Sequence, residues 1–345
     1  MDPKKLDALR ARYRDARGDE IYDPDFRAVA ATQWHDGGRR NFPFSGIPTL
    51  LDLPAAEGPD GLDVALIGVP MDLGVTNRGG ARFGPRAVRT IERIGPYNHA
   101  LKVAPQAFLA CADIGDVPFR SRYSLSDSLA DIESFFGTVR AAGAKPLAIG
   151  GDHSVSYPIL KALGADRPVG MVHMDAHCDT SGEVEDVKFH HGGPFRHAVL
   201  DGVLDPTRTI QIGIRGSAEY LWEFSYESGM TVVHAETFAE KGVAAIIAET
   251  RAVLAGQPFY ITIDVDGLDP AFAPGTGTPE VGGLTPREVQ ALLRGLVGAG
   301  PLVGGDVVEV APQYDANTTT AQVGGQMAFE ILSLMAVEAT AAALD

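Results

Sequence analysis

The stretch VHMDAHCDT, Val172–Thr180, places Asp175, His177 and Asp179 at alternate positions directly after an apolar run. Charged and imidazole side chains at the end of an apolar strand are unfavourable unless something compensates them. In extended chain, residues i, i+2 and i+4 project to one side, so these three can converge on one point. Cys178, between His177 and Asp179, should by the same alternation face away and pack. An apolar strand that ends in such a cluster is the pattern of an α/β sheet, whose ligands bind beyond the carboxyl ends of its strands.

Reading outward, short apolar runs recur at 63–70, 146–151, 168–175, 208–216, 230–235, 259–266 and 302–310. They lack strict polar alternation, as strands buried on both faces do. Helical patterns lie between them at 125–142, 154–164, 237–255, 285–297 and 322–343. The expected fold is α/β, a three-layer parallel β-sheet flanked by helices on both faces. Residues 1–45 read as an N-terminal arm and 46–345 as the catalytic domain, with no internal repeat. Within the arm, KKLDALRARYRDA suggests a short amphipathic helix; FPFSGIPTLLDLP, starting at Phe42, suggests an extended, proline-broken segment. Such an arm could cover a site or grip a neighbouring subunit.

The net charge of −16 argues against nucleic acid and against an anionic membrane surface as partners. Two cysteines, Cys111 and Cys178, do not make a disulfide framework. The charged first twenty residues lack the apolar stretch of a secretory leader. A reduced, cytoplasmic setting is expected.

Four strands end in polar residues: Asp152 and His153; Asp175, His177 and Asp179; Asp264 and Asp266, with Asp269 beyond; and Asp306 and Glu309. Any one of these alone reads as an ordinary cap or turn residue. Collected in one crevice, the carboxylates could not all ionise without cations. Two divalent metals answer that, and imidazole with carboxylate suits Mn²⁺, Ni²⁺, Zn²⁺ or Fe²⁺. Metals roughly 3.5–4 Å apart generate hydroxide from water at neutral pH. A leaving amine then needs a proton, and the Gly-rich loop FHHGGPF supplies His190 and His191. A solvent-exposed position is the simple reading of His190.

The chain resembles the ureohydrolase family: arginase, agmatinase and the guanidino-acid hydrolases. The motifs are GGDHS (150–154), DAHCDT (175–180), HHGGPF (190–195), IDVDGLDPAFAPGTGTPEVGGLT (263–285) and DVVEVAP (306–312), with GARFGPRAVR (80–89) resembling a segment near the family's substrate pocket. The resemblance implies that His153 and Asp179 hold one metal and His177 and Asp266 the other. Asp175 and Asp264 would bridge or complete the two spheres. Glu309 would receive the guanidinium, His191 or Asp179 would deliver the proton, and Asn77 would contact substrate. Asp152, Asp269 and Asp306 would orient the ligands from behind. Family members form trimers or hexamers, so a homo-oligomer is expected.

The loop TSGEVEDVKFH (180–190) lacks the asparagine with which arginases grip an amino-acid head, which disfavours arginine. Its Glu183, Glu185 and Asp186 would suit a cationic tail such as agmatine's unless they face solvent; a carboxylate tail would need Lys188, Arg196 or an arm residue. The expected substrate is therefore agmatine or an ω-guanidino acid, with Mn²⁺ first and Ni²⁺ second as metal. A nickel-dependent hydrolase of guanidine or a biguanide, a non-catalytic partner subunit, and a one-metal deacetylase-like hydrolase are the competing readings.

Overall fold

The computed structural model describes residues 1–18, 20–31, 45–91 and 94–342. The chain forms two compact units, Met1–Phe42 and Pro43–Asp345. In the first, helices span Pro3–Tyr13 and Pro24–Ala31. The Asp2 carboxylate caps the former by accepting the Lys4 N–H, and Pro3 opens it. The expected amphipathic helix is thus present, but it buries none of its residues.

The second unit is built on eight strands: β1 Val64–Gly68, β2 Cys111–Asp116, β3 Lys145–Ile149, β4 Val169–Met174, β5 Leu204–Ile214, β6 Thr231–His234, β7 Phe259–Asp264 and β8 Leu302–Val308. Every pairing is parallel, in the order β2-β1-β3-β8-β7-β4-β5-β6. Alternate residues feed two cores. Leu147, Ile149, Ile261 and Ile263 pack with Leu292, Leu332 and Met335 on one face. Ala148, Met171 and Tyr260 pack with Ile132, Phe136 and Leu160 on the other. Burial on both faces is why the strand sequences do not alternate.

Three details differ from the sequence expectation. The edge strand β2, CADIGD, escapes periodicity because its last two residues, Gly115 and Asp116, are exposed. The helical pattern over 237–255 resolves into Ala235–Lys241 and Val243–Leu254, parted at Gly242 with φ +76°. Leu50, Leu51 and Leu53 are buried in the core, so the later part of the expected extended segment belongs to the domain body; residues 42–44 lie outside the described residues. No helix among the described residues is long and apolar enough to cross a membrane.

Candidate metal centre

The four central strands, β3, β8, β7 and β4, end side by side, and each delivers polar residues to one crevice. Three use one device, a carboxylate that accepts the N–H of the residue two positions on. Asp152 accepts from Ser154 (2.9 Å), Asp175 from His177 (2.6 Å) and Asp264 from Asp266 (2.8 Å). These Asx turns bend the chain at the end of the strand. The ligands therefore converge through turns and not, as the spacing suggests, through continued extended chain. Asp179 arrives with φ +51°, in the left-handed region.

His153 is fully buried, and its Nδ1 faces Asp175 Oδ2 at 3.0 Å, Asp179 Oδ2 at 2.9 Å and Asp264 Oδ2 at 3.4 Å. Its Nε2 lies 2.9 Å from Thr262 Oγ1, whose hydroxyl donates to Asp306 Oδ1 at 2.5 Å. The hydroxyl proton being spent on Asp306, Nε2 carries the imidazole hydrogen and Nδ1 keeps its lone pair. That lone pair makes no oriented hydrogen bond. A buried lone pair confronting three carboxylate oxygens is repulsive unless a cation lies among them.

His177 forms a second focus. Its Nδ1 is 3.2 Å from Asp266 Oδ2 and 3.5 Å from Asp175 Oδ1. Asp175 thus offers one oxygen to each imidazole. All six candidate ligands are brought together, and their donor sets, imidazole with carboxylate, fit divalent metals.

Electrostatics points the same way. Burial, and then the neighbouring Asp266 and Asp175, push the Asp264 carboxyl well above its ordinary range. Burial and Asp175 raise Asp266 to about 6. Burial alone would lower the basicity of His153, but Asp175, Asp179 and Asp264 outweigh it and raise it well above the ordinary imidazole value. Each shift draws a proton into a place where positive charge is missing.

Glu309 sits beside this cluster, fully buried, with φ +63°. Its Oε1 accepts the His153 N–H (3.0 Å) and lies 2.8 Å from His191 Nδ1; its Oε2 has no partner. His191 Nε2 accepts the Thr76 N–H at 3.2 Å, so Nδ1 carries the hydrogen given to Glu309. Burial lowers the His191 basicity and Glu309 raises it, with a net rise to about 9.

A cavity of about 370 Å³ opens over the centre. His177, Asp179, Asp264 and His191 line it, together with Thr76, Ser181, Val184, His190 and Trp222. Asn77 is not in this wall; its side chain donates to the Gly277 carbonyl. Asp306 reaches His153 through Thr262, whereas Asp152 holds Gly74 and Ser154, and Asp269 holds Ala271, Gly282 and Gly283. Cys178 is 3% exposed, and burial pushes its thiol up to about 12.

Two residues, His173 and Arg215, escaped the sequence reading, and the expected exposure of a third, His190, is corrected. His173, fully buried, sits two residues before Asp175 and bonds its Oδ2 at 2.8 Å; period-two placement was the available signal. His190 is buried, not solvent-exposed. Arg215 donates to six backbone carbonyls, among them that of Asp266 at 2.7 Å, and so ties this ligand's loop to β5. Glu183, Glu185 and Asp186 are exposed, and Val184 is the member of their turn that reaches the cavity, which removes them as a reason for a cationic tail.

A parallel α/β sheet with a carboxylate–imidazole centre at its central carboxyl ends defines the class of protein. Residues 62–333 match the model of the arginase family, and the chain belongs to that family. It is 51% identical over 304 residues to a guanidinopropionase of Pseudomonas aeruginosa, covering 87% of this chain and 95% of that one. It is 44% identical over 294 residues to the mitochondrial agmatinase of Gallus gallus, covering 84% and 86%. Among solved structures, proclavaminate amidino hydrolase from Streptomyces clavuligerus superposes with a TM-score of 0.82 at 37% identity, covering 86% of this chain and 99% of that one.

Proposed function

We propose that the chain is a hydrolase that cleaves a C–N bond in the guanidino group of a small guanidino compound, releasing urea and an amine. The observation that carries this reading is the pairing of two unmet demands side by side in one buried cluster, where Glu309 Oε1 accepts the His153 backbone N–H. The lone pair of His153 and its three carboxylates call for cations, and the free Oε2 of Glu309 calls for a donor. A guanidinium, a planar fork of N–H groups, is the donor that a buried carboxylate suits best.

His153, Asp179, Asp175 and Asp264 would hold one ion, and His177, Asp266 and Asp175 the other. Divalent ions supply acidification of water and charge for the developing oxyanion. Manganese is proposed first, with nickel satisfying the same donors. The residues of the chain do the rest. Glu309 Oε1 is pinned by His153 and His191, which aims Oε2 at the guanidinium. His191, hydrogen-bonded to Glu309 and lining the cavity, is positioned to pass a proton to the departing amine, with Asp179 as the other carrier. Val184 and Trp222 contribute apolar wall to the cavity.

Residues 46–345 are proposed as the catalytic domain, in a homo-oligomeric assembly. The test is urea release by metal-free protein reloaded separately with Mn²⁺ or Ni²⁺. The substrates are agmatine, 4-guanidinobutyrate, 3-guanidinopropionate, arginine, guanidine and a biguanide. Urea from one of these supports the reading. Silence across the panel with two ions bound per chain overturns it.

A further inference from the structure

We propose that His173, held by Gln211, is the positioning residue of the shared carboxylate Asp175, so that one side chain of β5 sets the ligands of both ions. The inference rests on the two-ion hydrolase reading above and deepens it.

The strand register puts the parts in one row. Gln211 of β5 pairs with His173 of β4, His173 with Thr262 of β7, and Thr262 with Asp306 of β8. Paired residues of neighbouring strands present their side chains to the same face of the sheet, and all four are fully buried. The row is a polar floor set into apolar strands. Its Thr262–Asp306 half fixes the ring hydrogen of His153. The Gln211–His173 half does the corresponding work for Asp175.

One atom decides that half. Gln211 Nε2 lies 2.6 Å from the Cys178 carbonyl oxygen and 3.0 Å from His173 Nδ1. Turning the amide over would set its oxygen against that carbonyl oxygen. The nitrogen therefore stays, and each of its two hydrogens goes to one acceptor. Gln211 Oε1 is left buried without a partner. Since His173 Nδ1 accepts, the ring hydrogen is on Nε2, which donates to Asp175 Oδ2 at 2.8 Å. His173 stands near enough to His153 and Asp175 to be taken for a third imidazole ligand. Gln211 decides against that, because an Nε2 that carries the hydrogen has no lone pair to give.

Asp175 turns Oδ2 toward His153 and Oδ1 toward His177. The His177 backbone N–H holds Oδ1 at 2.6 Å, and His173 holds Oδ2. With a donor on each oxygen, the plane of the carboxylate is fixed, and each oxygen keeps its own direction. Gln211 reaches a second ligand as well. The Cys178 carbonyl that it holds belongs to the peptide leading into Asp179, whose φ is +51°. Outer partners of this kind orient a ligand before the ion arrives, and their loss lowers metal affinity.

The test is Mn²⁺ binding, read by chelator competition and elemental analysis. His173→Phe keeps a ring against His153 and Phe195 but removes the donor to Asp175. Because Asp175 serves both ions, both dissociation steps should weaken roughly 10- to 100-fold. Thr262→Val acts on His153 alone among the ligands and should weaken one step. His173→Gln, whose amide can still donate toward Asp175, should recover part of the loss in both steps. Unchanged affinities in His173→Phe, a loss confined to one step, or an equal loss in His173→Gln overturns the proposal. The hydrolase reading survives those outcomes if the wild type binds two ions and releases urea. A wild type that binds fewer than two ions overturns both. Should His173→Phe fail to fold, Gln211→Met decides, since it keeps the length of the side chain and removes both donors. A roughly tenfold weakening of both steps supports the proposal, and unchanged steps refute it.

Discussion

Strands β7 and β8 have two unlike ends. At their amino ends, Phe259 and Leu302 are buried against Leu296, Leu334 and Val337. At their carboxyl ends, within the same two strands or just beyond, stand Asp264, Asp266, Asp306 and Glu309, all buried. The first end contributes stability through apolar area removed from water. The second holds carboxylates where burial penalises their charge. The sheet thus carries its chemistry on strands whose other end secures them.

The contrast can be broken from either side. The largest effect is expected at the carboxyl end. Asp266→Ala should abolish urea release and reduce metal content to about one ion or less per chain, measured by elemental analysis. Full activity with two ions retained would remove Asp266 from the ligand set. His191→Ala should keep both ions and slow kcat roughly 10²- to 10⁴-fold, as loss of a proton carrier does. An unchanged kcat moves that task to Asp179.

At the amino end the loss falls on stability and not on turnover. Phe259→Ala should lower unfolding stability by about 3–5 kcal/mol in denaturant titration while kcat of the folded fraction stays near wild type. A large loss of kcat there would show that the ends are coupled. The smallest effect sharpens the picture. Thr262→Val keeps shape but leaves the buried Nε2–H of His153 without its acceptor. Metal affinity should fall roughly 10- to 100-fold, read by competition with a chelator, with little change in kcat at saturating metal.

The same contrast governs what could be read from the chain. The central strands announce themselves because burial on both faces makes them continuous apolar runs. The ligands announce themselves because a carboxylate at the end of such a run is costly to bury unless a cation meets it. Edge strand β2 lacks that signal, and the short helix Pro194–Leu200 is too brief to show a period. His173 hides inside an apolar strand, where one imidazole reads as packing. The orientation of Glu183, Glu185 and Asp186 was not legible, since which side of the Val184–Val187 hairpin faces solvent depends on tertiary contacts. Asp179 reaches the centre through a backbone conformation that alternation cannot foresee.

That backbone conformation has a further consequence. Asp179 and Glu309 both hold left-handed φ values, which side-chain-bearing residues adopt only at an energetic cost. Glycine alone would relieve the strain fully, and glycine has no carboxylate to offer. Selection for a sturdier protein and selection for a working one therefore pull these two positions in opposite directions. Any stabilised variant obtained by random mutagenesis without a functional screen should be searched first for glycine at 179 and 309.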